Sequence, residues 1–183
     1  MANLNNWQDL YTELAQILTA KVNNLQWVDL WHNQVNFLTD EHPFPVPAAF
    51  ISFRMLSPQD KGDNIQDANV QVDVYYFFET FADTFQGSYN QADALDYLNA
   101  LTEIHKALHG TDGDTYSSMQ RTAMMPVDTG SAGNLYRISF TCLVTDISAG
   151  HLRDEATPGD IALSEGEAPE PDTEQIFDID LGS

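Results

Sequence analysis

The stretch VQVDVYYFFET, Val70 to Thr80, decides the fold. Val70, Val72, Val74, Tyr76 and Phe78 alternate onto one face, and that face is apolar throughout. Gln71, Asp73, Tyr75, Phe77 and Glu79 alternate onto the other, which starts polar and turns aromatic. Strict alternation over this length is the signature of a β-strand. A strand with one wet face shows water polar residues along its whole length, so Tyr75 and Phe77 demand a cover. Two covers are open: a neighbouring subunit, or the following segment 81–90 with Phe81 and Phe85.

Working outward, "AAFISFRML" (48–56) places Ala49, Ile51, Phe53 and Met55 on one face and is a second strand. The polar loop "SPQDKGDNIQD" (57–67) joins the two as antiparallel neighbours. Upstream, "TDEHPFPVP" (39–47) carries prolines at alternate positions, which makes a stiff lead into the strand. "LQWVDLWHNQV" (25–35) is expected to be extended. Residues 6–22 form an amphipathic helix, with Trp7, Leu10, Tyr11, Leu14, Ile17, Leu18 and Val22 at helical spacing and Asn3, Asn5 and Asn6 as N-cap candidates.

Downstream, a second helix is expected over 89–109, with a stripe of Leu95, Leu98, Leu101, Ile104 and Leu108 and with Gly110 placed to end it. "SMQRTAMMPV" (118–127) is a short strand stopped by Pro126, "DTGSAGN" (128–134) a turn, and "LYRISFTCLVTD" (135–146) the last strand. Tyr136, Ile138, Phe140, Cys142 and Val144 share its apolar face. The order is helix, three strands, helix, two strands. It predicts an α+β domain over 1–150: a single mainly antiparallel sheet with two main helices packed on one face. Part of the other face is then left to solvent or to another subunit.

After Gly150 the composition shifts. Residues 151–183 hold ten Asp and Glu against one Arg, net −9, which leaves −12 of the chain's −21 on the body. This is an acidic, extended C-terminal tail without periodicity. Its end, "IFDIDL" (176–181), alternates again, so Ile176, Phe177, Ile179 and Leu181 are candidates for strand addition to a partner's sheet edge.

The charge itself excludes function classes. Seven Lys and Arg against 28 Asp and Glu cannot neutralise a phosphate backbone or hold an anionic membrane. No apolar run approaches the ~18 residues of a membrane span. The start, "MANLNNWQDL", lacks the basic and apolar regions of a signal peptide, so a cytoplasmic site of synthesis and use is expected. Cys142, the lone cysteine, falls in an apolar strand pattern as a core residue.

The motif search leaves no enzyme and no cofactor. His105 and His109 stand at i and i+4, but Lys106 occupies the position where a zincin needs Glu, and no third metal ligand stands out. "TDGDT" (111–115) lacks the remaining ligands of a calcium loop. "DTGSAG" (128–133) is a single copy where an aspartic protease needs paired carboxylates. Phosphate-loop, dinucleotide and nucleophile-elbow patterns are absent.

The layout resembles the tail-completion, or tail-terminator, proteins that join head to tail in long-tailed bacteriophages. The resemblance covers about residues 4–147. It rests on the helix "WQDLYTELAQILTAKV", the lead "HPFPVPAAFISF", the strand "NVQVDVYYFFET", a helix ending in "ALHG", and the strand "LYRISFTCLVTD". The acidic tail and the long region before the Pro-rich lead depart from the usual pattern. The resemblance implies a virion protein in the tail or neck, assembled in a host cytoplasm. It implies a ring of copies, usually six, seated on the tail tube protein and facing the head connector, with DNA passing through the lumen unbound. Tyr75, Phe77, Glu79, Arg54 and Arg137 would then be subunit-interface residues. The competing reading is an acidic DNA mimic that inhibits a nucleic-acid-binding protein. It requires acids in phosphate-like rows on the folded surface.

Overall fold

A computed structural model describes residues 2–37, 44–79, 82–128 and 133–150. The chain divides into one unit over Met1–His151 and a second over Leu152–Ser183. The second lies outside the described residues, as do Ile176, Phe177, Ile179 and Leu181.

Seven strands form one sheet: β1 (Asn3–Leu4), β2 (Trp27–Leu30), β3 (Ala48–Met55), β4 (Gln59–Gly62), β5 (Ile65–Glu79), β6 (Ser117–Val127) and β7 (Gly133–Asp146). Two helices, α1 (Trp7–Lys21) and α2 (Gln91–Leu108), and one 3-10 turn at Gln34–Phe37 complete the set among the described residues. The sheet runs β1-β7-β5-β3-β2, with β4 on β5 and β6 on β7. Its large ladders are antiparallel, while β1 on β7 and β2 on β3 are parallel. This is the α+β class expected.

The opening strand sits at the centre. β5 pairs Tyr75 with Phe50 on β3 and with Arg137 on β7. Its apolar face enters the main core, where Val70, Val72, Val74 and Tyr76 meet Ile138, Phe140, Cys142 and Val144 of β7. Leu10, Leu14 and Leu18 of α1 and Leu101, Ile104 and Leu108 of α2 close that core from one side. Asn6 caps α1, its Oδ1 accepting from the Gln8 N–H at 2.9 Å. Gly110 ends α2 at φ +74°, a conformation that suits glycine.

The second core answers what covers Tyr75 and Phe77. Phe77 is fully buried with Val35, Ala48, Phe50 and Leu135, and Trp31, Phe44, Val46, Tyr75 and Val127 pack around them. Trp31 stacks flat on Tyr75, centroids 4.1 Å apart at 7°. Phe44 meets Phe50 at 5.0 Å and Phe77 at 5.9 Å, edge-on in both cases. The cover is thus the chain's own segments before β3. Phe85 of the 81–90 segment does not supply it, being 64% exposed, and Phe81 lies outside the described residues. Gly133 is required by the same core, because a Cβ there would stand 2.2 Å from the Phe77 ring.

Four local expectations are corrected. The polar loop 57–67 holds β4 and the start of β5, joined by a two-residue turn with Asp63 at φ 53° and Asn64 at φ 60°. Positive φ at both central residues is the hairpin turn that Asn and Asp tolerate. The stretch 25–35 is a strand only over Trp27–Leu30, and the 3-10 turn begins at Gln34. Pro126 does not stop β6 but lies within it, paired with Tyr136; an edge strand tolerates the missing donor. The stripe of α2 is turned: Leu98 is 41% exposed, while Ala94, Ala100 and Ala107 are buried. Small side chains let the helix lie close to its neighbours, and the larger leucine turns outward.

Phe77→Ala should destabilise the chain by about 3–5 kcal/mol, the range for a large aromatic lost from a packed core. Urea unfolding measures this. A loss below about 1 kcal/mol would mean that the second core is not a core.

Candidate functional site

The face of the sheet turned away from the helices is built in cross-strand rows. Ala48, Phe77, Leu135 and Val127 form the buried first row. Phe50, Tyr75, Arg137 and Met125 form the second. Ser52, Asp73, Ser139 and Ala123 form the third, and Arg54, Gln71, Thr141 and Gln120 the fourth. The face therefore grades from aromatic to polar along β5.

Asp73 is the hinge of that gradient. It is buried at 8% exposure and accepts from the Ser139 hydroxyl and from Gln71 Nε2 at 2.9 and 3.1 Å. Hydrogen bonds of this kind let a carboxylate remain inside a sheet. Arg137 lies across from Tyr75 with its Nε buried and unbonded and its Nη2 3.1 Å from Met125 Sδ. Arg54 and Glu79 are exposed. The structure thus brings Tyr75, Phe77 and Arg137 together, with Arg54 two rows away and Glu79 at the far end of β5. Phe77 has no surface left for a neighbour.

The two ends of the sheet were not legible as sites. On β2, Trp27 is 41% and Leu30 45% exposed. Side chains cap the outer backbone of β2. Tyr11 Oη donates to the Val28 carbonyl at 3.3 Å, Leu30 N–H donates to Asp29 Oδ1 at 2.8 Å, and Gln34 Nε2 donates to the Leu30 carbonyl at 2.9 Å. Such caps block strand addition and leave only side chains to offer. At the opposite end, Met124 is 49%, Met125 41% and Leu143 49% exposed. The first half of β6 is capped too. Arg121 N–H donates to His109 Nδ1 at 3.0 Å, Met119 N–H to the Thr111 carbonyl at 3.0 Å, and Ser118 N–H to Asp112 Oδ1 at 2.6 Å. Beyond Arg121 no such cap is present among the described residues. The signal available in the sequence was the Met-Met-Pro triplet, apolar residues beside a proline that only an edge strand accepts.

The remaining candidates are structural in their geometry. His109 spends Nδ1 on the Arg121 amide, and its ring lies 4.6 Å from that of His105. Among the described residues no three His, Cys, Asp or Glu side chains gather as a metal site. Burial pushes the Cys142 thiol up to about 12, so it stays protonated. "TDGDT" is a turn held by Glu13 of α1, which accepts from the Asp114 N–H at 2.7 Å, the Thr115 N–H at 3.0 Å and the Thr115 hydroxyl at 2.6 Å. No helix among the described residues is long and apolar enough to cross a membrane.

A comparison with protein-family models finds no match, and a comparison with curated proteins finds none. Among solved structures, the chain is similar to one in the "Virion of native gene transfer agent (GTA) particle" at 14% identity and a TM-score of 0.42. The likeness covers 74% of this chain and 94% of that one.

His105 sets a pH dependence. Burial first, then Arg121 and His109, holds its pKa below the ordinary histidine value. The folded chain therefore resists a proton that the unfolded chain accepts. The contribution of His105 to stability is full above about pH 6.5 and declines as pH falls below it. His105→Gln should flatten the decline between about pH 7 and 5, as read from urea midpoints. An unchanged slope would remove His105 from that role.

Proposed function

We propose that this chain is a structural virion protein. It forms a ring at the head-proximal end of a phage tail, ends tube polymerisation there, and joins the tail to the head connector. The observation that carries the reading is the pair of apolar patches at opposite ends of one sheet. Trp27 and Leu30 are exposed on β2, and Met124 and Met125 are exposed on β6. Two different patches at opposite ends suit a head-to-tail contact, and such contacts make rings when the rotation closes. Methionine and aromatic side chains are enriched at interface centres.

In this reading Arg54, Arg137, Glu79 and Tyr75 lie on or beside the surface that one copy turns to the next. Phe77 acts from beneath, by holding that surface in place. The partners are copies of the chain, six in the proposed ring, with the tail tube protein below and the connector above. An acidic body gives passing DNA no phosphate neutralisation, so the lumen does not hold it. The open end of β6 is the proposed docking edge for Ile176, Phe177, Ile179 and Leu181 of a neighbour.

The test is the mass of the purified protein by light scattering, alone and with purified tail tubes. A hexamer, or a monomer that joins the tube end, is expected. Met124→Ser with Met125→Ser should weaken assembly at least tenfold, while the unfolding midpoint hardly moves, because both side chains are substantially exposed. A strict monomer indifferent to tubes would overturn the ring and favour the acidic mimic.

A further inference from the structure

A cavity of about 560 Å³ opens between α2 and the ends of α1 and β5. Tyr76 and Phe78 form its wall from the helix side of β5, and Ala100 forms its floor. Its rim is rich in acceptors: Asn23, Asn24, Asp96, Asn99, Thr102 and Glu103. Asp96, Asn99, Glu103 and Lys106 recur along α2 at spacings of three and four, so the helix turns a polar stripe to this side.

Two of these groups are already placed. Both Glu103 oxygens accept from Asn23, one from its backbone N–H at 2.8 Å and one from its side chain. Asp96 is held by Asn99 Nδ2 on Oδ1, at 3.1 Å. Tyr76 is different: it is 97% buried and lines the cavity, and among the described residues no side chain is shown hydrogen-bonded to its hydroxyl. A hydroxyl that lines an open cavity is available to a group that enters it. Burial, with Asp96 and Glu103 nearby, pushes this phenol up to about 12, so it stands as a neutral hydroxyl.

We propose that this cavity receives the guanidinium of an arginine on a basic partner protein. The chemistry selects the ligand. Two carboxylates face one rim cation, Lys106, in a chain whose net charge is −21. A cation is favoured there, and a guanidinium carries five N–H donors and no acceptor. That matches a rim of carboxylate, amide and hydroxyl oxygens. The Tyr76 oxygen accepts one of those donors. A flat, weakly hydrated guanidinium also lies well against aromatic walls, here Tyr76 and Phe78, where a compact ammonium keeps its water. The site lies on the helix side of the sheet, and a free arginine probe tests it without the ring.

The probe is N-acetyl-arginine methylamide, titrated into the full chain while the side-chain amide signals of Asn23 and Asn99 are followed by NMR. The lysine analogue serves as the comparison. Saturable shifts are expected for arginine, with the lysine analogue at least threefold weaker. Asp96→Asn and Tyr76→Phe should each weaken arginine binding at least threefold. Asp96 is exposed, so its variant keeps the fold, and the unfolding midpoint of the Tyr76 variant reports separately on packing. Shifts that do not saturate, equal binding of both analogues, or an unaltered response in Asp96→Asn would each overturn the proposal.

Discussion

The stack of Trp31 on Tyr75, rings 4.1 Å apart, is the contact on which the second half of the molecule depends. β5 is a central strand with β3 on one side and β7 on the other, and its consecutive residues Tyr76 and Phe77 point into different cores. Both helices lie over the Tyr76 side. Nothing regular remains for the Phe77 side, where an uncovered aromatic row would cost several kcal/mol of burial. The chain closes it with irregular backbone, bringing Trp31 and Val35 from the stretch after β2 and Phe44 and Val46 from the Pro-rich lead. Pro45 and Pro47 fix φ in the described part of that lead, which reduces the entropy lost when it is pinned.

This explains how much was legible. β3, the apolar half of β5, β7 and both helices announce themselves through periods of two and 3.6, because each buries one face against a core. The cover over Phe77 has no period, since its residues come from two short segments that meet only in space. The alternation of Tyr75 and Phe77 revealed that a cover was needed but could not name it. β4 was missed for a related reason. Gln59, Asp60, Lys61 and Gly62 are all exposed, so no core imposes a pattern on them, and only the Asp63–Asn64 turn marks the hairpin. The turned stripe of α2 shows a third limit. Leucines at helical spacing mark a face, but close packing placed Ala94, Ala100 and Ala107 inward and left Leu98 outside.

Among the described residues, the polar and titratable groups of the interior are committed to the fold. Cys142 is held protonated by burial, His109 is bonded to the chain, and Glu13 is committed to the 113–115 turn. What stays open is unequal by construction. At β2 the backbone is capped by Tyr11, Asp29 and Gln34, so that end offers Trp27 and Leu30 but no ladder. At β6 the capping among the described residues stops at Arg121, and the strand runs on to Val127 with Met124 and Met125 exposed.

That asymmetry bears on how the chain stays out of trouble. An uncapped edge on both sides would let identical sheets pair end to end without limit. Capping one side allows side-chain contact there and restricts strand pairing to the other. The charge works in the same direction: a body of −12 repels its own copies at long range, so any contact between copies has to rest on short-range apolar surface at a defined geometry. A chain that closes with its own kind under those conditions needs two patches that fit each other and a field that penalises every other approach. Exposed Trp27 and Leu30 at one end, exposed Met124 and Met125 at the other, and a body of net −12 are what this chain would bring to such a requirement.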